Sequence, residues 1–146
     1  MRAMWETAAE TGQAMCGLVN VEDLDEWETV VAEHPETTAV IDHMCRIGTA
    51  GSLPEADIDR LCALACYPNQ HIKLSAFYAL GQATPPYDDM LPFVRRMIDA
   101  FGAERCMWAT DCPYQLHQHE PPFNPNAQPG QTYDDSIAVI RDRAAW

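Results

Sequence analysis

The stretch CMWATDCPYQ, residues 106–115, joins a short apolar run to an acid, Asp111, and then to a proline. It belongs to the last of four apolar runs: QAMCGLV (13–19), TAVIDHM (38–44), HIKLSAF (71–77) and RCMWAT (105–110). Runs that are nearly continuous in hydrophobicity and alternate with helical patterns are typical of a parallel sheet covered by helices. The sequence therefore predicts an α/β fold of four consecutive βα units.

Helical patterns separate these runs. They predict five helices: the first over residues 2–10, the second from an Asn20 cap to Glu33, and the third after a Ser52–Glu55 capping box. The fourth contains an apolar stripe from Leu91 to Phe101, and the fifth begins at Thr132, which pairs with Asp135. Repeats of about 24 to 34 residues suit half of a (β/α)8 barrel or a small doubly wound sheet. The first βα junction, LVNVED, has no glycine, which argues against a nucleotide-binding loop.

Composition narrows the class of protein. A chain of 146 residues that is 47% hydrophobic can bury one core, so we expect a single domain over residues 1–146. A net charge of −13 repels phosphate backbones and anionic lipid, so we expect no nucleic acid and no membrane as partner. An early acid stands where a signal peptide has its apolar core, which favours a cytoplasmic location with reduced cysteines.

Two ionisable residues end apolar runs. His43 lies at the end of AVIDH in the second run, and Asp111 directly follows the fourth run, at the end of MWATD. In parallel α/β folds, side chains at the carboxyl ends of strands form the active site. Taken alone, a histidine there is often a hydrogen-bonded structural residue, and an aspartate before a turn is often a cap. Their equivalent positions in one sheet make them our candidate catalytic pair.

Four segments together resemble a known family: AVIDHM, PNQHIKLSAFYAL, YDDMLPFVRRMIDAFGAERCMWATDCPYQ and TYDDSIAVIRDR. They are similar to the C-terminal half of the amidohydrolase-related (amidohydrolase 2) proteins, in the metal-dependent hydrolase superfamily that includes lactonases and related decarboxylases. The resemblance implies a partial (β/α)8 TIM barrel whose four units correspond to strands five to eight. Residues 1–146 are then expected to be the C-terminal half of the barrel domain, in a truncated chain or partial sequence.

The resemblance also implies roles for individual residues. Asp111 would be a metal ligand or the base that activates water, and His43 would bind metal or polarise the substrate carbonyl. Arg46 would hold a carboxylate of a small substrate, although a solvated loop cation is the simpler interpretation of that residue. Tyr114 is assigned with it to substrate binding.

The expected cofactor is a divalent metal, with zinc as the first choice, in the complete family fold. The family's first strand carries His-x-His, which this sequence lacks at its start, and the run ending GLVN has no histidine. Because a catalytic zinc has three protein ligands, His43 and Asp111 are too few, and a metal-free chain stays an alternative. His117 and His119, in a proline-rich loop that could act as a lid, and Cys45 and Cys112 are weaker candidate ligands.

These observations lead to three hypotheses about function. The first is a hydrolase that acts on a lactone, ester or amide carbonyl of a small carboxylated substrate through Asp111 and His43. The second is a non-oxidative decarboxylase of the same superfamily, and the third is a catalytically inactive half barrel. Because four strands cannot close a barrel, open sheet edges would allow a homo-oligomer.

Overall fold

A computed structural model describes residues 2–111, 114 and 132–144 of the chain. Four strands alternate with helices along it, as the sequence predicts. The elements are α1 (Arg2–Thr11), β1 (Met15–Gly17), α2 (Leu24–Glu33), β2 (Ala39–Ile41), α3 (Glu55–Ala63), β3 (Gln70–Leu74), α4 (Leu91–Phe101), β4 (Cys106–Trp108) and α5 (Tyr133–Ala138).

The strands form one parallel sheet in the order β1-β2-β3-β4. This arrangement confirms the predicted α/β fold of four consecutive βα units. All three residues of β2 are buried, whereas those of β1 and β4 are half-buried or exposed. The sheet therefore has a buried middle and two less protected outer strands.

The strands are shorter than the apolar runs predict because the backbone turns into the left-handed region directly after them. His43 follows β2 with φ 54°, Ala76 follows β3 with φ 59°, and Asp111 follows β4 with φ 54°. A residue with positive φ cannot continue a strand. The last residues of three runs thus lie in the turns that leave the sheet, at its carboxyl edge.

The helix starts depend on local chemistry. Thr132 and Asp135 form the expected capping box at the start of α5.

The predicted capping box of Ser52 and Glu55 is wrong: α3 begins at Glu55, after Pro54, with no side-chain cap. Since a proline forces the preceding residue into an extended conformation, the helix cannot start before it. Asn20 does not cap α2 either, because a short 3₁₀ turn, Val21–Asp23, precedes that helix.

The main core lies between the sheet and α3 and α4. Its side chains from α4 are Phe93, Val94, Met97, Ile98 and Phe101. A smaller cluster joins Trp5 of α1 to Val31 of α2 and Ala39 of β2. Among the helices that the structure describes, none combines the length and hydropathy of a membrane span.

Candidate active site

His43 and Asp111 meet at the carboxyl edge of the sheet. His43 Nε2 lies 3.4 Å from Asp111 Oδ1, and each side chain is 18% exposed. The two residues follow β2 and β4, the strands on either side of β3. The sheet order therefore brings together the pair that the sequence singled out, across the end of the middle strand.

The backbone around the pair is unusual. His43, Met44, Cys45 and Arg46 are four consecutive residues with positive φ, from 48° to 56°. Each non-glycine residue in this region carries strain of order 1 to 3 kcal/mol, and such strain concentrates at functional sites. The turn places His43 and Arg46 at the carboxyl edge of the sheet, while Met44 and Cys45 are buried in the core.

Two hydroxyl groups from the turn after β3 contact the pair. Ser75 Oγ lies 2.7 Å from His43 Nδ1, and the Tyr78 hydroxyl donates a hydrogen bond of 2.5 Å to Asp111 Oδ2. Both residues are buried, with Tyr78 only 7% exposed. The sequence prediction missed them: Ser75 lies within the third apolar run and Tyr78 directly follows it, and no residue there signals a turn toward the pair.

These contacts assign roles to the imidazole nitrogens. Asp111 Oδ1 is an acceptor, so the contact with it is favourable when Nε2 of His43 carries a proton. In the neutral ring Nδ1 then accepts a hydrogen bond from the Ser75 hydroxyl. The pair thus presents a carboxylate and an N–H donor to the same space.

That space is a cavity of about 330 Å³ in which all four predicted site residues meet. Its lining consists of Leu18, His43, Arg46, Thr49, Ala76, Tyr78, Ala79, Leu80, Asp111 and Tyr114. Tyr114 is half exposed at the rim. A cavity of this volume is suited to a small organic molecule.

Arg46 supplies the positive charge of this cavity. Its side chain is exposed, and Nη1 donates a hydrogen bond of 3.1 Å to Asn20 Oδ1. No described acidic side chain forms an ion pair with Arg46, so its guanidinium can accept an anionic ligand. The other cation nearby, Lys73, is engaged with Asp42 at 2.6 Å, and that hydrogen bond raises the pKa of the Lys73 ammonium.

The described residues of the cavity provide too few ligands for a catalytic metal ion. His43 Nε2 and Asp111 face each other. Within ranges 2–111 and 132–144, however, no three or more His, Cys, Asp or Glu side chains lie close enough together to hold a metal ion. Since a catalytic zinc takes three protein ligands, these residues do not hold zinc by themselves.

Cys45 does not complete the set. Its thiol is 1% exposed, and burial, followed by the nearby Glu22, raises its pKa to about 12. A metal binds the thiolate, which this environment disfavours. His117, His119 and Cys112, the other candidate ligands, and the lid loop lie outside the described residues.

Comparisons with known proteins agree with this architecture. A family model described as amidohydrolase matches residues 3–139. The L-fucono-1,5-lactonase of Burkholderia ambifaria is 35% identical over 80 residues, which is 55% of this chain and 28% of that protein. The 4-sulfomuconolactone hydrolase of Rhizobium radiobacter is 30% identical over 94 residues, or 64% of this chain and 29% of that protein.

Solved structures show the same fold at low sequence identity. An amidohydrolase of Burkholderia multivorans with bound zinc has a TM-score of 0.71 and 20% identity, over 96% of this chain and 48% of that one. A candidate 2-pyrone-4,6-dicarboxylic acid hydrolase of Pseudomonas putida has a TM-score of 0.72 and 22% identity, over 99% and 50%.

The chain thus spans about half the length of these barrel proteins, which confirms the prediction of a partial (β/α)8 barrel. Its assignment to strands five to eight stays a prediction. Because the family model covers nearly the whole sequence, this chain belongs to the amidohydrolase family.

Proposed function

We propose that this chain carries the catalytic base of a hydrolase that opens a lactone, ester or amide of a small carboxylated substrate. The observation that carries the proposal is that Asp111, His43, Arg46 and Tyr114 all line one cavity. The names of two relatives, a lactonase and a lactone hydrolase, support a cyclic ester as the first substrate class to test.

Asp111 acts as the general base in this proposal. Its carboxylate takes a proton from water while the water oxygen attacks the carbonyl carbon. The bond from that carbon to the leaving oxygen or nitrogen then breaks, and the leaving group receives the proton that Asp111 took from water, which returns Asp111 to its carboxylate form. The Nε2–H of His43 faces Asp111 Oδ1 in the free site. In the proposed reaction it is shared with the carbonyl oxygen as negative charge develops there.

Arg46 and Tyr114 bind the substrate in this proposal. A guanidinium forms two parallel hydrogen bonds with a carboxylate, which fixes both the position and the orientation of the ligand. Arg46 lines the same cavity as the pair, and Tyr114 lies at the rim. In the proposed complex both residues hold a carboxylate while the reacting carbonyl faces Asp111.

The test is a comparison of matched aspartate variants. Small lactones, with and without a carboxylate, are supplied to the chain, and acid release is followed at constant pH, with zinc added and with chelator. We expect Asp111→Asn to lower kcat/KM by about 100-fold or more. Asp99→Asn removes an exposed carboxylate on α4 and serves as the control.

The outcomes separate the hypotheses. Equal activity in Asp111→Asn and Asp99→Asn contradicts the role of Asp111. Release of carbon dioxide without consumption of water identifies a decarboxylase instead, and inactivity of the unmodified chain under every condition supports a non-catalytic half barrel.

Arg46 gives a second, independent test. Arg46→Gln removes the charge and keeps a polar, though shorter, side chain. We expect its KM for a carboxylated lactone to rise about 10-fold, the lower part of the range for a lost charge-assisted bond. The KM for an uncharged lactone should stay the same. Equal changes for both substrates would show that Arg46 does not contact the carboxylate.

A further inference from the structure

We infer that Tyr78 is a positioning residue for Asp111: its hydroxyl holds one carboxylate oxygen so that the other is presented to His43 and to water. The inference rests on the proposed function of Asp111 as a base. It adds a residue from the turn after β3 to the site and assigns the two oxygens of Asp111 different tasks.

The hydrogen bond itself is the first argument. Tyr78 donates to Asp111 Oδ2 over 2.5 Å, while Oδ1 faces His43 Nε2 at 3.4 Å. An O–H···O distance of about 2.5 to 2.7 Å is typical of a phenol or hydroxyl that donates to an ionised carboxylate. The contact therefore matches a charged Asp111 with one oxygen occupied and the other directed into the cavity.

The phenol is well suited to be a permanent donor. Tyr78 is 7% exposed, and burial, together with the hydrogen bond to Asp111, raises the pKa of its hydroxyl well above the usual range. It therefore keeps its proton at neutral pH.

The fold holds this donor in place. Tyr78 lies in the short 3₁₀ turn Phe77–Ala79, which starts after Ala76 at φ 59°. Phe77 anchors the turn in the core with no exposed surface. Because β3 lies between β2 and β4, one turn reaches both residues of the pair, His43 through Ser75 and Asp111 through Tyr78.

A carboxylate without this bond can rotate about its last torsion angle. Oδ1 would then lose its fixed direction toward the reacting water, and small misplacements of a reacting group lower rates by as much as about 100-fold. Substrate binding through Arg46 does not depend on this torsion. The loss should therefore appear in kcat and leave KM nearly unchanged.

The experiment compares two tyrosine-to-phenylalanine variants in the full chain, with a carboxylated lactone as substrate. We expect Tyr78→Phe to lower kcat by about 10- to 100-fold, with KM within about 2-fold of the unmodified chain. Tyr87→Phe is the matched control, since Tyr87 is fully buried and its hydroxyl bonds to no group that the structure describes. Unchanged kcat in Tyr78→Phe overturns the inference.

Failure of this inference differs from failure of the proposed function. Full kcat in Tyr78→Phe beside an inactive Asp111→Asn overturns the role of Tyr78 alone, whereas full activity in Asp111→Asn overturns the proposed base.

Thermal unfolding tests the contact without a substrate. Tyr78→Phe should lower Tm in the unmodified chain and have a smaller effect when Asp111 is replaced by alanine. Equal losses of Tm in both backgrounds would show that Tyr78 does not act on Asp111, which also overturns the inference.

Discussion

His43 makes two contacts that together determine which of its ring nitrogens is protonated. Nε2 faces the Asp111 carboxylate at 3.4 Å, and Nδ1 faces the Ser75 hydroxyl at 2.7 Å. A hydroxyl both donates and accepts, whereas a carboxylate only accepts. Ser75 therefore adapts to the ring, and Asp111 determines the tautomer.

We predict that Nε2 of His43 is protonated in both the neutral and the charged ring. The measurement is a ¹⁵N-detected two-bond correlation spectrum, which distinguishes protonated from unprotonated ring nitrogens. In Asp111→Ala the preference for a proton on Nε2 should weaken, because the acceptor is lost. His71, whose Nδ1 lies 3.2 Å from the Asn69 carbonyl oxygen, is the internal control and should not respond. A neutral His43 protonated on Nδ1 would contradict the prediction.

The sequence was sufficient to place His43 and Asp111, because residues that end parallel strands gather at one edge of the sheet. It was not sufficient to find Ser75 and Tyr78. Their contacts depend on the left-handed backbone at Ala76, which turns the chain back over the pair. Alanine gives no sequence signal for such a conformation, unlike glycine or asparagine.

At the scale of elements, Gly17 at the end of β1 lets α2 approach the sheet. A Cβ atom at this position would lie 2.4 Å from the ring of Trp27. That ring cannot easily move, because its Nε1 donates a hydrogen bond of 2.7 Å to Gln70 Oε1 and its edge packs against Trp5. The glycine is thus needed for a close approach.

We predict that Gly17→Ala lowers the free energy of unfolding by about 1 to 3 kcal/mol, the usual range for overpacking a well-filled site. Urea unfolding followed by tryptophan fluorescence measures the loss. In a Trp27→Phe background the smaller ring leaves room for the added methyl group, so the same substitution should have a smaller effect there. An unchanged unfolding midpoint in Gly17→Ala would show that α2 shifts freely.

The helices and strands differ in how well local sequence patterns predict them. The four strands and the helix from Leu91 to Phe101 were predictable from hydrophobic runs and a glycine stop. The strand order was not, because repeats of this length suit half a barrel and a doubly wound sheet equally. The start of α3 was not, since the serine and glutamate of a capping box stand on either side of a proline that delays the helix. Local sequence signals compete, and here backbone geometry prevails over side-chain capping.

At the scale of the whole molecule, the two outer strands carry the open edges of the sheet. β1 and β4 are less buried than β2, so association through these edges stays a prediction. The net charge of −13 opposes close approach of two copies at low ionic strength. Any such association should therefore strengthen as salt is added.

Two thiols, the buried Cys45 and the half-buried Cys106, make the stability of the whole chain sensitive to alkaline pH. Burial is the main cause that raises the pKa of Cys45 to about 12 and that of Cys106 to about 11, from the usual thiol value of 9.0. Above about pH 9 the unfolded chain loses these protons while the folded chain keeps them. The folded state then binds more protons, so the free energy of unfolding falls as pH rises.

We predict that below about pH 9 the ionisation of these two thiols leaves the free energy of unfolding unchanged. Between about pH 9 and 11 each thiol should remove up to about 1.4 kcal/mol per pH unit. Urea unfolding in the presence of a reductant, from pH 7.5 to 10.5, measures the slope. Cys45→Ala and Cys106→Ala should each reduce it, whereas Cys16→Ala, which removes an exposed thiol, should not. Because the slope and not the absolute stability is compared, a small cavity left by alanine does not affect the result. Equal slopes in all four proteins would mean that Cys45 and Cys106 ionise as readily in the folded chain as in the unfolded one.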